Sequence, residues 1–246
     1  MVSAVGAEAE GAAGPVRVGD EVVAYPVQGA YAAQVVVPAS SVVPKPASLS
    51  FEEAGGLFLT GATAVHALTA VGLGSGDTVV IHGAAGGVGI IAIQLAVNAG
   101  ARVIGTASGS NHAFLRELGA EPVTYGDGLT ERIRALAPGG VDAAIDAVGS
   151  DEAIDSSVAL VADRSRVVTI AGFQRAGELG LKALGAGPGA DAGTEIRAAA
   201  RLELVRQAEA GKLRVVVAAT YPLTEAAAAH RELAAGHAHG KIVLIP

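Results

Sequence analysis

The chain has 246 residues, of which 51% are hydrophobic and 17% are charged, so its composition excludes a disordered protein. A formal net charge of −7 without a long basic run argues against a nucleic-acid surface. No segment approaches the roughly 20 unbroken apolar residues of a membrane helix, and the first residues lack a secretory pattern. We therefore expect a protein that binds neither nucleic acid nor a membrane, and we take the cytoplasm as its default location. The chain has no cysteine, which rules out disulfides and thiolate zinc ligands.

The first fifty residues have the pattern of short antiparallel strands. Residues 18–24 and 31–37 are predicted strands separated by a turn, and a proline-containing stretch follows them. Ser50 is the predicted N-cap of a helix, with Glu52 and Glu53 in the first turn, where acidic side chains favour the helix dipole.

The middle of the chain alternates between apolar strand-like segments and helix-like segments. The five predicted strands are residues 78–82, 102–106, 122–125, 141–146 and 166–171. The helices between them are predicted over residues 88–98, 110–118, 129–136 and 152–160. This alternation predicts right-handed β-α-β units, and therefore an α/β fold with a doubly wound parallel sheet covered on both faces.

The last third of the chain begins with a glycine-rich stretch. Residues 173–193 contain six glycines, so we expect a mobile loop or lid there. A helix is predicted over residues 194–210, with Thr194 as its N-cap and Gly211 just after its end. A strand at 215–217, a helix at 225–235 and a strand at 241–245 complete the prediction.

The segment from His82 to Gly89 reads HGAAGGVG and joins the first predicted strand of the middle region to the helix that follows. A dinucleotide pyrophosphate binds to backbone N–H groups at such a helix N-terminus, where the dipole also favours anions. Gly86 and Gly87 keep that backbone bare, and Gly89 lets the helix pack close to the strand. The alternative is a glycine-rich turn that only tightens the corner between strand and helix.

The end of the second predicted strand indicates which dinucleotide would bind. NAD-binding folds place an acid there for the ribose 2′-hydroxyl, but residues 101–116 contain no Asp or Glu. Ser108, Ser110, Asn111 and His112 could instead hydrogen-bond a 2′-phosphate. The sequence thus favours NADPH as the cofactor. The alternative is that these residues form a polar cap for the next helix.

Several motifs, in the same order, resemble those of the medium-chain dehydrogenase/reductase superfamily, specifically its zinc-free quinone oxidoreductase and enoyl reductase branch. They are VGDEV at 18–22, LTGATA at 59–64, AAGGVG at 84–89, LRELGA at 115–120, DAVG at 146–149 and GKIVL at 240–244. The resemblance covers almost the whole chain. It implies a Rossmann-type sheet and a β-rich GroES-like domain.

The resemblance also implies a cofactor site built from several segments. Thr63 would lie near the nicotinamide, Ser108 beside the 2′-phosphate and Tyr125 beside the adenine. The pyrophosphate would be held by Ala85, Gly86, Gly87 and Val88. The cleft would be lined by Ala147, Val148, Gly149, Ala171, Gly172 and Phe173, with Lys241 near the phosphates. Tyr125 has an alternative interpretation as an ordinary strand-end aromatic, and Phe173 as a core side chain.

One departure from the family concerns the beginning of the chain. In the family, the opening part of the GroES-like catalytic domain precedes the segment that residues 1–6 resemble, and we expect that part to be absent here. Residues 1–55 and 214–246 are then a partial GroES-like domain, and residues 56–213 the Rossmann dinucleotide-binding domain. The family also implies a homodimer, in which residues 166–171 would pair across a two-fold axis.

The reaction implied is hydride transfer from NADPH to a small-molecule quinone or an activated C=C bond of an enone or enoyl compound, without zinc. Such acceptors need no Lewis acid, because the charge that develops on them is delocalised. No proton donor can be named from the residues. Two alternatives remain: a non-catalytic or partner-dependent NADPH-binding module, and an enoyl reductase domain excised from a modular synthase.

The histidines do not predict a metal site. His237 and His239 resemble a ligand pair, but no suitably placed third ligand accompanies them, so a solvated turn is the preferred interpretation. His82 ends a strand, where a hydrogen-bonded buried imidazole is expected instead of a catalytic base.

Overall fold

The computed structural model describes residues 1–236 and 238–246, and it separates the chain into two compact units. One unit comprises Met1–Ala62 and Ala198–Pro246, and the other comprises Thr63–Arg197. Both divisions fall inside long helices, whereas the sequence analysis puts the domain boundaries at residues 55 and 214.

Strands and helices alternate through most of the chain. The strands are β1 (Glu10–Gly11), β2 (Gly14–Pro15), β3 (Val22–Ala24), β4 (Val42–Pro44), β5 (Thr78–His82), β6 (Arg102–Thr106), β7 (Glu121–Val123), β8 (Ala143–Asp146), β9 (Val167–Thr169), β10 (Lys182–Ala183), β11 (Val217–Pro222) and β12 (Lys241–Ile245). The helices are α1 (Phe51–Ala70), α2 (Gly87–Asn98), α3 (His112–Glu117), α4 (Leu129–Leu136), α5 (Asp151–Leu160), α6 (Phe173–Leu179), α7 (Thr194–Glu209) and α8 (Ala226–Ala234).

Six parallel strands form the sheet of the unit Thr63–Arg197, in the order β10-β9-β8-β5-β6-β7. The chain runs from β5 outward to β6 and β7, then crosses to β8 on the other side of β5. The topological switch point therefore lies between β5 and β8, which is where nucleotides bind in doubly wound sheets. The expected α/β fold with a doubly wound parallel sheet is confirmed.

The sheet is covered on both faces. In β5, the consecutive residues Val79, Val80, Ile81 and His82 are each at most 1% exposed. Successive side chains of a strand point to opposite faces, so burial of all four requires packing on each side. This burial explains why the central strands read as continuous apolar runs in the sequence.

The structure corrects three expectations. Residues 31–37 form no strand, and β3 pairs instead with β4, with Val23 opposite Val43. The glycine-rich residues 173–193 are not simply a loop, because they contain α6 and the sixth strand, β10. Consequently β9 lies between β8 and β10 and has no open edge for pairing across a two-fold axis. Only two residues of β10 pair with β9, too few to produce an alternating sequence pattern.

The unit made of the two chain ends contains α1's first turns, whose cap is as predicted. The Glu53 N–H donates to Ser50 Oγ at 3.1 Å, and the Ser50 N–H donates to Glu53 Oε2 at 2.8 Å. This reciprocal pair is a capping box, which satisfies two otherwise orphan donors. Later in α1, a Cβ on Gly61 would lie 2.9 Å from Leu204 of α7, so glycine is what permits the helices to approach this closely.

Within the described residues, no helix combines the length and the apolar character that crossing a bilayer requires.

Close packing of α2 on the sheet gives a prediction for stability. A Cβ on Gly89 would overlap the Gly83 carbonyl oxygen and lie 2.7 Å from Ala84 Cα, both rigid backbone atoms. We expect Gly89→Ala to lower the free energy of unfolding by about 1–3 kcal/mol, the usual range for overpacking. Urea denaturation would measure the loss. Gly139→Ala is the control, because a Cβ there meets nothing within 4 Å. Equal stability of the two variants would contradict this packing.

Candidate functional site

The glycine loop lies at the carboxyl end of β5, next to the switch point. Helix α2 begins at Gly87, and its N-cap residue Gly86 provides no side-chain hydrogen bond to the first turn. Ala85, Gly86, Gly87 and Val88, the four predicted pyrophosphate residues, therefore form one half-buried turn at a helix N-terminus without a side-chain cap. Backbone N–H groups and the helix dipole can act there on an anion together.

A cluster of hydroxyl and amide groups follows β6, the neighbouring strand. Ser108 Oγ lies 3.0 Å from Ser110 Oγ, and Asn111 Nδ2 donates to Ser108 Oγ at 3.0 Å. The segment 101–116 has no acidic side chain to repel a phosphate group. His112 is turned to Thr124, with 3.4 Å between Nε2 and Oγ1. The cluster thus brings together three of the four polar residues expected at the ribose.

Four polar side chains stand in register at the carboxyl ends of neighbouring strands: Thr106, His82, Asp146 and Thr169. Each is at most 4% exposed. His82 Nδ1 lies 3.2 Å from Thr106 Oγ1, and the Thr169 hydroxyl donates to Asp146 Oδ2 at 2.6 Å. We call these residues the polar row.

The polar row holds the backbone of the two loops that follow β8 and β9. The Asp146 carboxylate accepts N–H bonds from Val148 (3.0 Å) and Gly149 (2.9 Å). Thr169 Oγ1 accepts N–H bonds from Ala171 at 3.1 Å and Gly172 at 2.9 Å. One hydroxyl and one carboxylate therefore position most of the predicted cleft-lining segments, and they are linked to each other.

These two loops meet at a cavity of about 360 Å³ at the carboxyl edge of the sheet. Four predicted site residues line it: Gly149, Ala171, Gly172 and Phe173. Gly149 has a φ of +80°, and a Cβ on it would lie 3.0 Å from Ala171 atoms, so a side chain would force the loops apart. Ala147 is half-buried, and Val148 is 55% exposed.

His82 differs from the other members of the row in its hydrogen bonding. Burial lowers the pKa of His82 to about 4, although the nearby Asp146 acts to raise it. Its Nε2 has no hydrogen-bond partner within the described residues. The imidazole is buried and hydrogen-bonded, as expected from the sequence, but only through Nδ1.

Thr63, in α1, belongs to a second polar cluster of the unit Thr63–Arg197. Arg197 Nη1 donates to Thr63 Oγ1 at 3.0 Å, and Arg197 Nε donates to His66 Nδ1 at 3.4 Å. The other nitrogen of His66, Nε2, lies 3.3 Å from Asp191 Oδ2. Burial lowers the pKa of His66, with the Asp191 hydrogen bond opposing. A neutral His66 therefore accepts from Arg197 at Nδ1 and donates to Asp191 at Nε2.

Two predicted site residues stand apart from these groups. Tyr125 follows β7 and is 57% exposed. Lys241 belongs to the other unit, where it begins β12 opposite Val217 and packs its stem against Gly56. Burial lowers the pKa of Lys241. Among residues 1–236 and 238–246, no three His, Asp or Glu side chains are grouped closely enough to hold a metal, and His237 lies outside the described residues.

Sequence reasoning missed three residues that shape these clusters: Thr169, Asp191 and Arg197. Thr169 is hidden at the end of an apolar strand, where a threonine is common and carries no signal. Arg197 did carry a signal in the sequence, because it is a cation in the first turn of a predicted helix, where the helix dipole disfavours positive charge.

Comparison with known proteins gives a consistent result. The family model described as zinc-binding dehydrogenase matches residues 118–244. A quinone oxidoreductase of Pseudomonas aeruginosa is 33% identical over 94% of this chain and 76% of its own length. A 2-haloacrylate reductase of a Burkholderia species is 34% identical, over 90% of this chain and 72% of that protein. A spectinabilin polyketide synthase protein of Streptomyces orinoci is 34% identical over 82% of this chain, which spans only 10% of that protein.

Two solved structures are similar over most of the chain. A mycobacterial protein in complex with NADPH matches with a TM-score of 0.81 and 31% identity, covering 95% of this chain and 77% of that one. The quinone oxidoreductase of Escherichia coli, also in complex with NADPH, matches with a TM-score of 0.80 and 28% identity. That match covers 94% of this chain and 76% of the Escherichia coli chain.

Thr169 offers a direct test of how the loops are held. Thr169→Val keeps the shape of the side chain but removes the acceptor of the Ala171 and Gly172 amides and a donor to the buried Asp146 carboxylate. We expect the free energy of unfolding to fall by about 2 kcal/mol, and hydrogen exchange at the two amides to accelerate. Thr169→Ser, which keeps the hydroxyl, should restore the protection of both amides. Unchanged exchange in the valine variant would mean that the loops do not depend on this hydroxyl.

The buried His82 predicts a pH dependence of stability. Its folded-state pKa of about 4 lies below the unfolded value of 6.5, so between these pH values the unfolded chain binds a proton that the native state does not. The free energy of unfolding should therefore fall as the pH drops through this window, by up to about 1.4 kcal/mol per pH unit from this group. Chemical denaturation at several pH values measures the slope. His82→Gln should flatten it, whereas the exposed-histidine variant His230→Gln should keep it.

Proposed function

Because this chain belongs to the medium-chain dehydrogenase/reductase superfamily, in its quinone oxidoreductase and enoyl reductase branch, we propose that it is an NADPH-dependent oxidoreductase. Its acceptor is a quinone or an activated C=C bond of an enone or enoyl compound. When bound, NADPH supplies a hydride to the acceptor, and a proton from water completes the reduction.

One observation carries the proposal: the helix that starts at the switch point of the sheet begins with bare backbone. Helix α2 opens at Gly86 and Gly87 without a side-chain cap. The Gly86 N–H donates to the Gly83 carbonyl at 3.0 Å, and the N–H groups of the first turn that follow it are available to a diphosphate. An ordinary glycine-rich corner would not need two further loops, 147–149 and 171–172, held in place at the same edge of the sheet. We therefore assign the pyrophosphate to Ala85, Gly86, Gly87 and Val88.

The rest of the cofactor follows from the topology. The dinucleotide straddles the switch point, so one half extends over β6 and β7 and the other over β8 and β9. We assign the adenosine half to Ser108 and Tyr125, because the hydroxyl cluster after β6 suits a 2′-phosphate. The nicotinamide half then falls to the loops at 147–149 and 171–173. We keep Thr63 and Lys241 as proposed contacts of the nicotinamide and of the phosphates.

The named relatives support this class of acceptor. A quinone and a 2-haloacrylate are both conjugated electrophiles, and their reduction needs orientation and exclusion of water more than a Lewis acid. The chain has no cysteine, and the described residues offer no grouped donors for a metal, so we propose a zinc-independent reaction. The polyketide synthase relative favours an enoyl thioester as a second candidate acceptor. We also propose a homodimer. On the β9 side of the sheet, the edge strand is β10 and not β9.

Cofactor choice tests the proposal most directly. Titration of intrinsic and cofactor fluorescence should give at least tenfold tighter binding of NADPH than of NADH. Ser108→Asp should reverse the preference, because a carboxylate repels the 2′-phosphate and accepts a hydrogen bond from a ribose 2′-hydroxyl. Ser108→Asn is the matched control, since it has the shape of aspartate without the charge, and should leave NADH the weaker ligand.

Oxidation of NADPH, followed by its absorbance with 1,4-benzoquinone and with 3-penten-2-one, tests the reaction itself. Turnover of at least one acceptor is expected. Binding of NADPH without turnover of either acceptor would favour a non-catalytic module. Failure to bind either nucleotide would refute the assignment of the glycine loop.

A further inference from the structure

Within residues 1–236 and 238–246, Arg197 is a cation without an anionic partner. It is half-buried in the first turn of α7 and donates hydrogen bonds to two neutral groups, the Thr63 hydroxyl and His66 Nδ1. In the described part of the chain, Arg197 forms no ion pair, and its Nη2 has no hydrogen-bond partner. Asp191, the acid of this cluster, is separated from Arg197 by the His66 ring and is bound to the Gly193 N–H at 2.9 Å.

This arrangement is costly for a guanidinium unless an anion joins it. A partly desolvated charge is expected to find an opposite charge, and a cation in the first turn of a helix is opposed by the helix dipole. The two hydrogen bonds that Arg197 donates to Thr63 and His66 fix the plane of the guanidinium and leave its Nη2 side available. A planar fork held in this way is the geometry that binds a carboxylate through two hydrogen bonds.

Contacts within the unit place Arg197 at the nicotinamide end of the proposed site. Asp191 donates its N–H to Ala183 of β10, and Ala183 pairs with Thr169 of the polar row. The same glycine-rich segment packs on the cavity, because a Cβ on Gly187 would lie 2.8 Å from the Phe173 ring. The Arg197 cluster therefore adjoins the carboxyl edge of the sheet beside β9 and β10.

The distance across the sheet separates this cation from the pyrophosphate. The glycine loop follows β5, and β10 is three strands away, which corresponds to about 14 Å at the usual strand spacing. The reduced nicotinamide is uncharged, so an anion beside β10 has to come from the acceptor molecule.

We propose that Arg197 binds the carboxylate of the acceptor, which makes unsaturated carboxylates a substrate class of this protein. The inference rests on the proposed function and adds a specificity-determining residue to it. Thr63 Oγ1 and His66 Nδ1 are positioning groups that orient the guanidinium. The carboxylate itself takes no part in the reduction; its role is to place the neighbouring C=C bond.

A pair of acceptors of similar shape, of which only one carries a carboxylate, tests the proposal. Crotonate and 3-penten-2-one share the same unsaturated chain, but the second carries an acetyl group in place of the carboxylate. We expect Arg197→Gln to raise the KM for crotonate about tenfold or more and to change the KM for 3-penten-2-one less than twofold. Arg197→Lys keeps the charge but not the planar fork, so its KM for crotonate should lie between those of the unaltered protein and Arg197→Gln. Arg206→Gln removes a guanidinium from the exposed face of the same helix, where it pairs with Glu203, and should change neither KM.

A binding measurement makes the test independent of turnover. Ligand-observed NMR should detect butanoate on the unaltered protein, and Arg197→Gln should abolish the signal while Arg206→Gln preserves it. If the unaltered protein reduced neither of these acceptors nor 1,4-benzoquinone, the proposed function would fail, and the butanoate measurement would still test Arg197. An equal rise in KM for both acceptors, or no rise for crotonate, overturns the proposal. A loss of NADPH affinity in Arg197→Gln with butanoate binding unchanged overturns it as well, because the cation would then serve the cofactor.

Discussion

The hydrogen bond between the Thr169 hydroxyl and the Asp146 carboxylate links the ends of two buried parallel strands. Parallel strands finish at the same edge of a sheet, and each leaves a loop whose backbone N–H groups need acceptors. Thr169 and Asp146 supply those acceptors for Ala171, Gly172, Val148 and Gly149. The shape of the cavity at this edge depends on the pair, since loops without internal acceptors would turn to solvent for hydrogen bonds.

The edge of the sheet offers anions three separate environments, each built differently. At the centre, α2 presents backbone N–H groups and a helix dipole without any side chain. After β6, Ser108 and Ser110 present neutral hydroxyls without a nearby acid, which suits a doubly charged group that remains partly hydrated. Beside β10, Arg197 presents a full positive charge. A central diphosphate, a peripheral phosphate and a carboxylated acceptor would use these three environments in that order.

Glycine permits the close approaches on which this edge depends. Gly89 lets α2 rest on the backbone of the loop before it, and Gly149 adopts a positive φ against Ala171. Gly193 also has a positive φ, and its lack of a side chain leaves room for the His66 ring, which a Cβ there would overlap. These three positions lie in different segments, and each removes a side chain where two pieces of backbone or a buried ring must meet.

The sequence by itself determined the doubly wound sheet, the glycine loop and the missing acid after β6, because these depend on local order. Hydrophobic runs, turn residues and a strand–loop–helix succession are all written within a few consecutive residues. The tertiary structure alone decided that residues 173–193 add α6 and β10, that β9 is internal, that Thr169 contacts Asp146, and that Arg197 contacts Thr63 and His66. Those facts depend on contacts between residues far apart in the chain. A single buried hydroxyl or a short strand produces no periodic pattern in the sequence. The residue that the hydroxyl bonds, or the strand that the short strand pairs with, therefore cannot be predicted from the sequence.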